Sequence, residues 1–203
     1  MAPWPVRSSI EQYRGAKWAV TTDTIDLAGH VVVRDVVRHP GAVGIVALDD
    51  DDRVLLIRQY RHPVGGYLFE PPAGLLDVDG EPPLTTAKRE LLEEAGYQAE
   101  TWHVLVDQFT TPGGSDEAIR IYLARDLVAA VDGRPRTGEA EEEHLPRAWV
   151  PLDDAVRLVL QGQLHNPTAV AGILAAAAAR HAGWAGLRPA DAEWLRAVAR
   201  PPR

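Results

Sequence analysis

The chain has 203 residues, 46% hydrophobic and 25% charged, with a formal net charge of −8 and no cysteine. This is the make-up of an ordinary globular domain, alone or with a small attachment. It excludes disulfides, thiolate metal sites and cysteine nucleophiles, and the acidic balance argues against nucleic-acid or anionic-membrane surfaces, which need a basic face. The N-terminal MAPWPVRSSIEQYRG lacks the apolar core of a signal peptide. The longest apolar run, 169–179, has 11 residues, short of the roughly 20 needed to span a bilayer. A reducing cytoplasm is the expected compartment.

In chain order, residues 1–40 read as a small unit of their own. Runs 16–21, 24–27 and 31–37 are β-prone and broken by Asp23 and Gly29, as in an antiparallel meander. So small a sheet buries little by itself, so it must pack on the main domain or on a second subunit. From residue 41 to 203 the pattern is α/β. Runs 42–48 and 54–60 are strand-like, with Asp49 to Asp52 as a polar hairpin turn; four successive aspartates lack the alternating ligands and distal glutamate of a calcium loop. Strands at 102–109 and 118–124 flank a turn at 111–116. Residues 132–147 are polar and irregular and hold Glu139, Glu141, Glu142 and Glu143. Order resumes at 148–151, followed by helical runs 153–161, 167–181 and 189–199. Strands with helices on their faces suit an α/β/α sandwich with a mixed sheet, with the small antiparallel β-sheet at the N-terminus.

The most informative stretch is 74–97, GLLDVDGEPPLTTAKRELLEEAGY. Residues 84–95 are good helix formers, Gly96 is a natural stop, and Pro82 and Pro83 fit only at or before the first turn. At about 100° per residue, Leu84, Ala87, Leu91 and Ala95 form an apolar stripe, with Glu90, Glu93 and Glu94 on its flank. On spacing alone a solvated acidic face is the commoner reading, ahead of a metal site. Three carboxylates so close repel each other, and a hard cation such as Mg²⁺, which takes oxygen ligands, relieves that repulsion.

The wider pattern decides between the two. Glu81, seven residues, then Arg89-Glu90-Leu91-x-Glu93-Glu94-x-Gly96-Tyr97 resembles the Nudix box, except that six residues rather than five separate Gly74 from Glu81. The extra residue lies in the turn Asp77-Val78-Asp79-Gly80 and leaves the helix spacing intact. The resemblance implies the Nudix α/β/α fold and Mg²⁺-dependent hydrolysis of a nucleoside diphosphate linked to another group, with Mn²⁺ as a substitute. It implies that Glu90 and Glu94 are metal ligands, with Glu93 and the backbone carbonyl of Ala73 joining them, and that Arg89 orients the glutamates. A base comes in several branches of the family from a loop after the box. Glu141 is the expected base, with Glu143 as an extra ligand and Glu142 as the fallback.

Pro112, sixteen residues after Gly96, resembles the proline of the ADP-ribose pyrophosphatase branch, although a simple Pro-Gly turn explains it equally. The segments Arg58-Gln59-Tyr60-Arg61-His62-Pro63, Phe69-Glu70-Pro71-Pro72-Ala73-Gly74 and Gly162-Gln163-Leu164-His165-Asn166 resemble the same branch. The resemblance implies cleavage of ADP-ribose to AMP and ribose 5-phosphate by a homodimer with swapped N-terminal sheets. Trp18 is placed as the stack for adenine or as a buried strand residue. Arg61 is placed on a phosphate or the terminal ribose, or is a plain surface arginine, and Glu70 is placed on a ribose hydroxyl or on an arginine. The alternatives are another nucleotide sugar such as GDP-mannose, a damaged nucleotide, or a nucleotide-binding module without catalysis. The seven histidines show no ligand spacing and receive no role.

Overall fold

The computed structural model describes residues 4–135 and 145–194; Glu139, Glu141, Glu142, Glu143 and the run 195–199 lie outside them. The N-terminal strands β1 (Val6–Arg14), β2 (Ala19–Leu27) and β3 (His30–Arg38) form an antiparallel three-stranded sheet. No sequence signal marks β1, whose Ser-Ser and Glu-Gln pairs lack β-branched side chains. It becomes a strand by pairing with β2 from Val6–Ile25 to Arg14–Ala19. Nor does Asp23 break β2. Its buried carboxylate accepts a bond from Ser9 Oγ at 2.6 Å and pairs with Arg38, which satisfies it inside the sheet. Ala28 (φ 53°) and Gly29 (φ 88°) both take positive φ between β2 and β3, the backbone of a tight hairpin turn.

The remaining strands are β4 (Ala42–Ala47), β5 (Arg53–Arg61), β6 (Gly66–Glu70), β7 (Ala73–Leu75), β8 (Tyr97–Phe109), β9 (Ala118–Ala129), β10 (Arg147–Pro151) and β11 (Arg188–Pro189). A five-stranded mixed sheet has the order β11-β8-β9-β4-β7, with β4 and β9 parallel, and a second sheet has the order β10-β5-β6. Asp49 forms the β4–β5 turn, its Oδ1 accepting from the backbone N–H of Asp51 and Arg53. The helices are α1 (Pro83–Glu90), α2 (Leu152–Leu160) and α3 (Pro167–His181). Asn166 caps α3 by accepting from Ala169 N–H at 2.9 Å, with Pro167 in the first turn.

Successive β4 residues face opposite ways, as strand geometry requires. Val43, Ile45 and Ala47 join a core with Ala87, Leu91 and Ala95 from the helical segment after β7 and with Trp102, Val104 and Tyr122. Val46 joins Leu48, Leu152, Ala155, Ala169 and Ile173 on the other face, beneath α2 and α3. This is the α/β/α sandwich expected, with the small antiparallel sheet attached.

Two helical expectations change. The run 84–95 is not one α-helix: α1 ends at Glu90, and Leu91–Ala95 continues as a π-helical turn. Gly96 closes it at φ +73°, its N–H bonded to the Leu91 and Leu92 carbonyls. The helix expected from Pro189 does not form over the described residues. Arg188–Pro189 pairs with β8 at Val104 and His103. The Arg120 guanidinium takes the Ala192 and Glu193 carbonyls at 2.6 and 3.0 Å, acceptors that a helix would need for itself. Among the described residues no helix is long and apolar enough to cross a membrane.

Candidate active site

The glutamates of the helical segment open into a cleft of about 700 Å³ between the N-terminal sheet, the β6–β7 connection and the start of α3. β7 crosses directly under Glu90. A Cβ built on Gly74 would lie 2.1 Å from Glu90 Oε1, so only glycine lets this strand and that carboxylate come together. Next to it, Ala73 N–H donates to Glu94 Oε2 at 2.8 Å. Glu90 and Glu94 are buried, while Glu93 is half-buried.

Arg89 gathers the acidic groups. Its Nη1 donates to Glu90 Oε1 at 2.8 Å and Glu93 Oε2 at 3.0 Å, and its Nε and Nη2 donate to Glu81 at 3.2 and 3.0 Å. Thr86 Oγ1 also donates to Glu81, at 2.8 Å. Bonding to Glu81, with help from Glu90 and Glu93, raises the Arg89 pKa against the opposing effect of burial. Arg89 in turn holds the Glu81 carboxyl below the usual carboxylate range, against a smaller desolvation effect. The pair is therefore fixed as ions, and Glu81 anchors Arg89 from the turn that precedes the helix.

The donor set suits a hard divalent cation. It consists of carboxylate oxygens and the nearby Ala73 backbone, with no cysteine in the chain. One guanidinium faces three carboxylates in Glu81, Glu90 and Glu93, which leaves negative charge for a cation to balance. Among the described residues no three acidic or imidazole side chains converge on one point; Arg89 instead draws Glu90 and Glu93 onto itself. A cation held there would compete with Arg89 for those carboxylates.

The cleft also holds most of the residues expected to touch substrate. Trp18, Arg61, Glu70, Ala73, Arg89, Glu90, Glu93 and Glu94 all line it. Trp18 is 45% exposed, so of its two expected settings the buried strand residue is set aside. Arg61 Nε and Nη2 grip Glu70 at 2.9 and 2.6 Å, so the buried Glu70 meets an arginine, the second of its expected partners. Pro112 stands exposed in the turn before β9, away from the cleft lining; the ends of its loop, Thr110 and Glu117, reach the lining instead. Glu141 and Glu143 lie outside the described residues.

Sequence reasoning missed His39, Gln59, Thr110, Glu117, Asn166 and Thr168, which share the cleft. They come from four separate segments, and no spacing in the chain links those segments.

Residues 38–170 match the family model described as the NUDIX domain. Over 189 residues the chain is 48% identical to an ADP-ribose pyrophosphatase of Mycobacterium tuberculosis (strain ATCC 25618 / H37Rv), covering 93% of this chain and 89% of that one. It is 32% identical over 162 residues to a methanol dehydrogenase activator of Bacillus methanolicus, covering 79% and 85%. A crystal structure of an ADP compounds hydrolase superposes with a TM-score of 0.75 at 23% identity, covering 90% of this chain and 97% of that one, and supports the fold. With the glutamate helix, the glycine beneath it and these similarities in agreement, the chain belongs to the Nudix hydrolase family.

Proposed function

We propose that this protein is a Mg²⁺-dependent ADP-ribose pyrophosphatase that releases AMP and ribose 5-phosphate, with Mn²⁺ able to replace Mg²⁺. The observation that carries the reading is the single cleft joining the Arg89–Glu90–Glu93–Glu94 cluster to an exposed tryptophan and to Arg61. Its similarity to the Mycobacterium tuberculosis enzyme supports the choice of ADP-ribose. Trp18 offers a flat face for adenine. Arg61, oriented by its ion pair with Glu70, lines the same cleft, where it is the proposed contact for a phosphate or the terminal ribose. Glu90, Glu93, Glu94 and the Ala73 carbonyl are the proposed metal donors, and Arg89 orients them.

When bound, the cation neutralises the pyrophosphate and makes a bound water acidic. The residues supply the rest. Arg89, kept in place by Glu81, would orient Glu90 and Glu93 and yield their oxygens to a cation held beside it. Glu141, with Glu142 as fallback, accepts a proton from the attacking water, and Glu143 adds a ligand. Water forms one new P–O bond as the bridging P–O bond breaks, and the bridging oxygen leaves on the other phosphate. The proposed division is 1–40 as the dimerisation unit and 41–203 as the hydrolase domain. Val6, Ile10, Tyr13, Val31 and Val33 of the N-terminal sheet are each more than half exposed. A face that apolar favours a partner, so the proposed assembly is a homodimer with exchanged sheets.

The test is product analysis of ADP-ribose incubated with the protein and Mg²⁺ or EDTA. AMP and ribose 5-phosphate only with metal is the expected result. Intact ADP-ribose alongside cleavage of another nucleotide sugar overturns the substrate but keeps the hydrolase. Binding of nucleotide sugars without any turnover overturns the catalytic reading.

A further inference from the structure

His39 lies between β3 and β4, where the N-terminal sheet joins the main domain, and it is 3% exposed. Its surroundings come from three other places in the chain. Its ring faces that of Trp18 at a centroid distance of 4.3 Å and an angle of 36°. Its Nδ1 accepts the Gly41 N–H at 2.8 Å. That bond requires an unprotonated Nδ1, so in the neutral ring the proton sits on Nε2, which lies 3.3 Å from Glu117 Oε1. Its own N–H donates to Asp116 Oδ1 at 2.7 Å. The ring thus has two fixed edges and one face occupied by tryptophan.

Trp18 itself sits in the turn before β2, where the Gly15 N–H is bonded to its carbonyl at 2.8 Å. A side chain 45% exposed on a hairpin turn has rotamer freedom that binding would have to remove. The His39 plane removes it beforehand. We infer that His39 is a positioning residue, which holds the Trp18 ring in the orientation that stacks on the base of the substrate. Gly41 and Glu117 set the plane of His39, and His39 sets the plane of Trp18. The inference rests on the ADP-ribose reading and adds a residue that acts on substrate affinity without touching substrate.

The ring and the polar edge of His39 separate by substitution. His39→Asn keeps an acceptor close to the position of Nδ1 and loses the ring; His39→Phe keeps a flat ring and loses the acceptor. Steady-state hydrolysis of ADP-ribose with Mg²⁺ and thermal unfolding are measured for both, with Trp18→Ala, His39→Ala and the double alanine variant. The expected result is that KM follows the ring while melting temperature follows the acceptor. His39→Asn and His39→Ala raise KM about tenfold, a share of the stacking energy of a base on an aromatic ring, and His39→Phe restores most of it despite a lower melting temperature. The double variant has the KM of Trp18→Ala, because two residues acting through one contact are not additive. Should KM instead follow melting temperature, or the alanine effects multiply, His39 is a structural histidine and the inference falls. Absence of ADP-ribose turnover by the unaltered protein overturns the substrate reading, and the inference with it.

Discussion

Glu94 and Gly74 carry the most consequence per atom. Glu94 is buried and held by the Ala73 N–H, so Glu94→Gln keeps its shape and one of its bonds while removing a charge. It is expected to abolish Mg²⁺-dependent turnover with the melting temperature nearly unchanged, checked by kinetics beside thermal unfolding. Gly74→Ala places a methyl group 2.1 Å from Glu90 Oε1. The carboxylate must move, and metal affinity should fall by roughly 10–100-fold, the scale of losing a supporting contact at a metal site, as titration calorimetry with Mg²⁺ would report. The gathering of Glu90, Glu93, Glu94 and Arg89 at one cleft was legible in the chain because one local motif holds them. His39 and Glu117 were not, since their partners lie in other segments and nothing in the linear order links them.

At the level of elements, the segment after β7 shows how far spacing arguments reach. Ala87, Leu91 and Ala95 of the apolar stripe are fully buried, because any helical coil places residues at i, i+4 and i+8 near one face. The change from α to π at Leu91 was not legible. A π turn closes through i→i+5 bonds and occurs often at functional sites, and here it begins one residue after Glu90, where β7 crosses. Leu91→Ala leaves a hole between that turn and the central sheet. It should destabilise the protein by about 2–5 kcal/mol, read from the urea midpoint. Strands β8 and β9 also begin or end well beyond their apolar runs, because pairing from Tyr97–Ala129 onward extends the ladder through polar positions.

Across the whole molecule, one ion network ties the C-terminal segment to the sheet. Buried Arg120 bonds Asp107 Oδ1 at 2.8 Å and two carbonyls beyond β11, and Arg188 bonds Asp107 Oδ2 at 2.8 Å. Burial by itself would raise the Asp107 pKa, but Arg120 and then Arg188 outweigh it, and the carboxyl sits below its ordinary value. A carboxyl depressed by folding stabilises the native state above its unfolded pKa of about 3.9, and that contribution fades as pH falls through the folded value. Asp107→Asn strands a buried guanidinium and should cost roughly 3–5 kcal/mol at neutral pH. The gap from the unaltered protein should narrow below about pH 4, as urea midpoints at pH 7 and pH 3 would show. The exposed apolar sheet makes an assembly prediction: Val33→Lys together with Ile10→Lys should halve the mass found by light scattering, with the hydrolase domain still folded.

The sequence by itself determined the family, the grouping of the candidate metal carboxylates on one helical segment, and the layered fold. Each rests on short-range order: a fixed spacing on one helical segment, strand-length apolar runs, and glycines and prolines at turns. Only the tertiary structure decided that Arg61 takes Glu70, that the N-terminal turn brings Trp18 against His39, and that the chain after Pro189 follows a buried arginine rather than its own helical tendency. In each case a side chain distant in sequence satisfied a polar group or occupied a face. Local propensity differences of well under about 1 kcal/mol per residue are too small to resist such a contact.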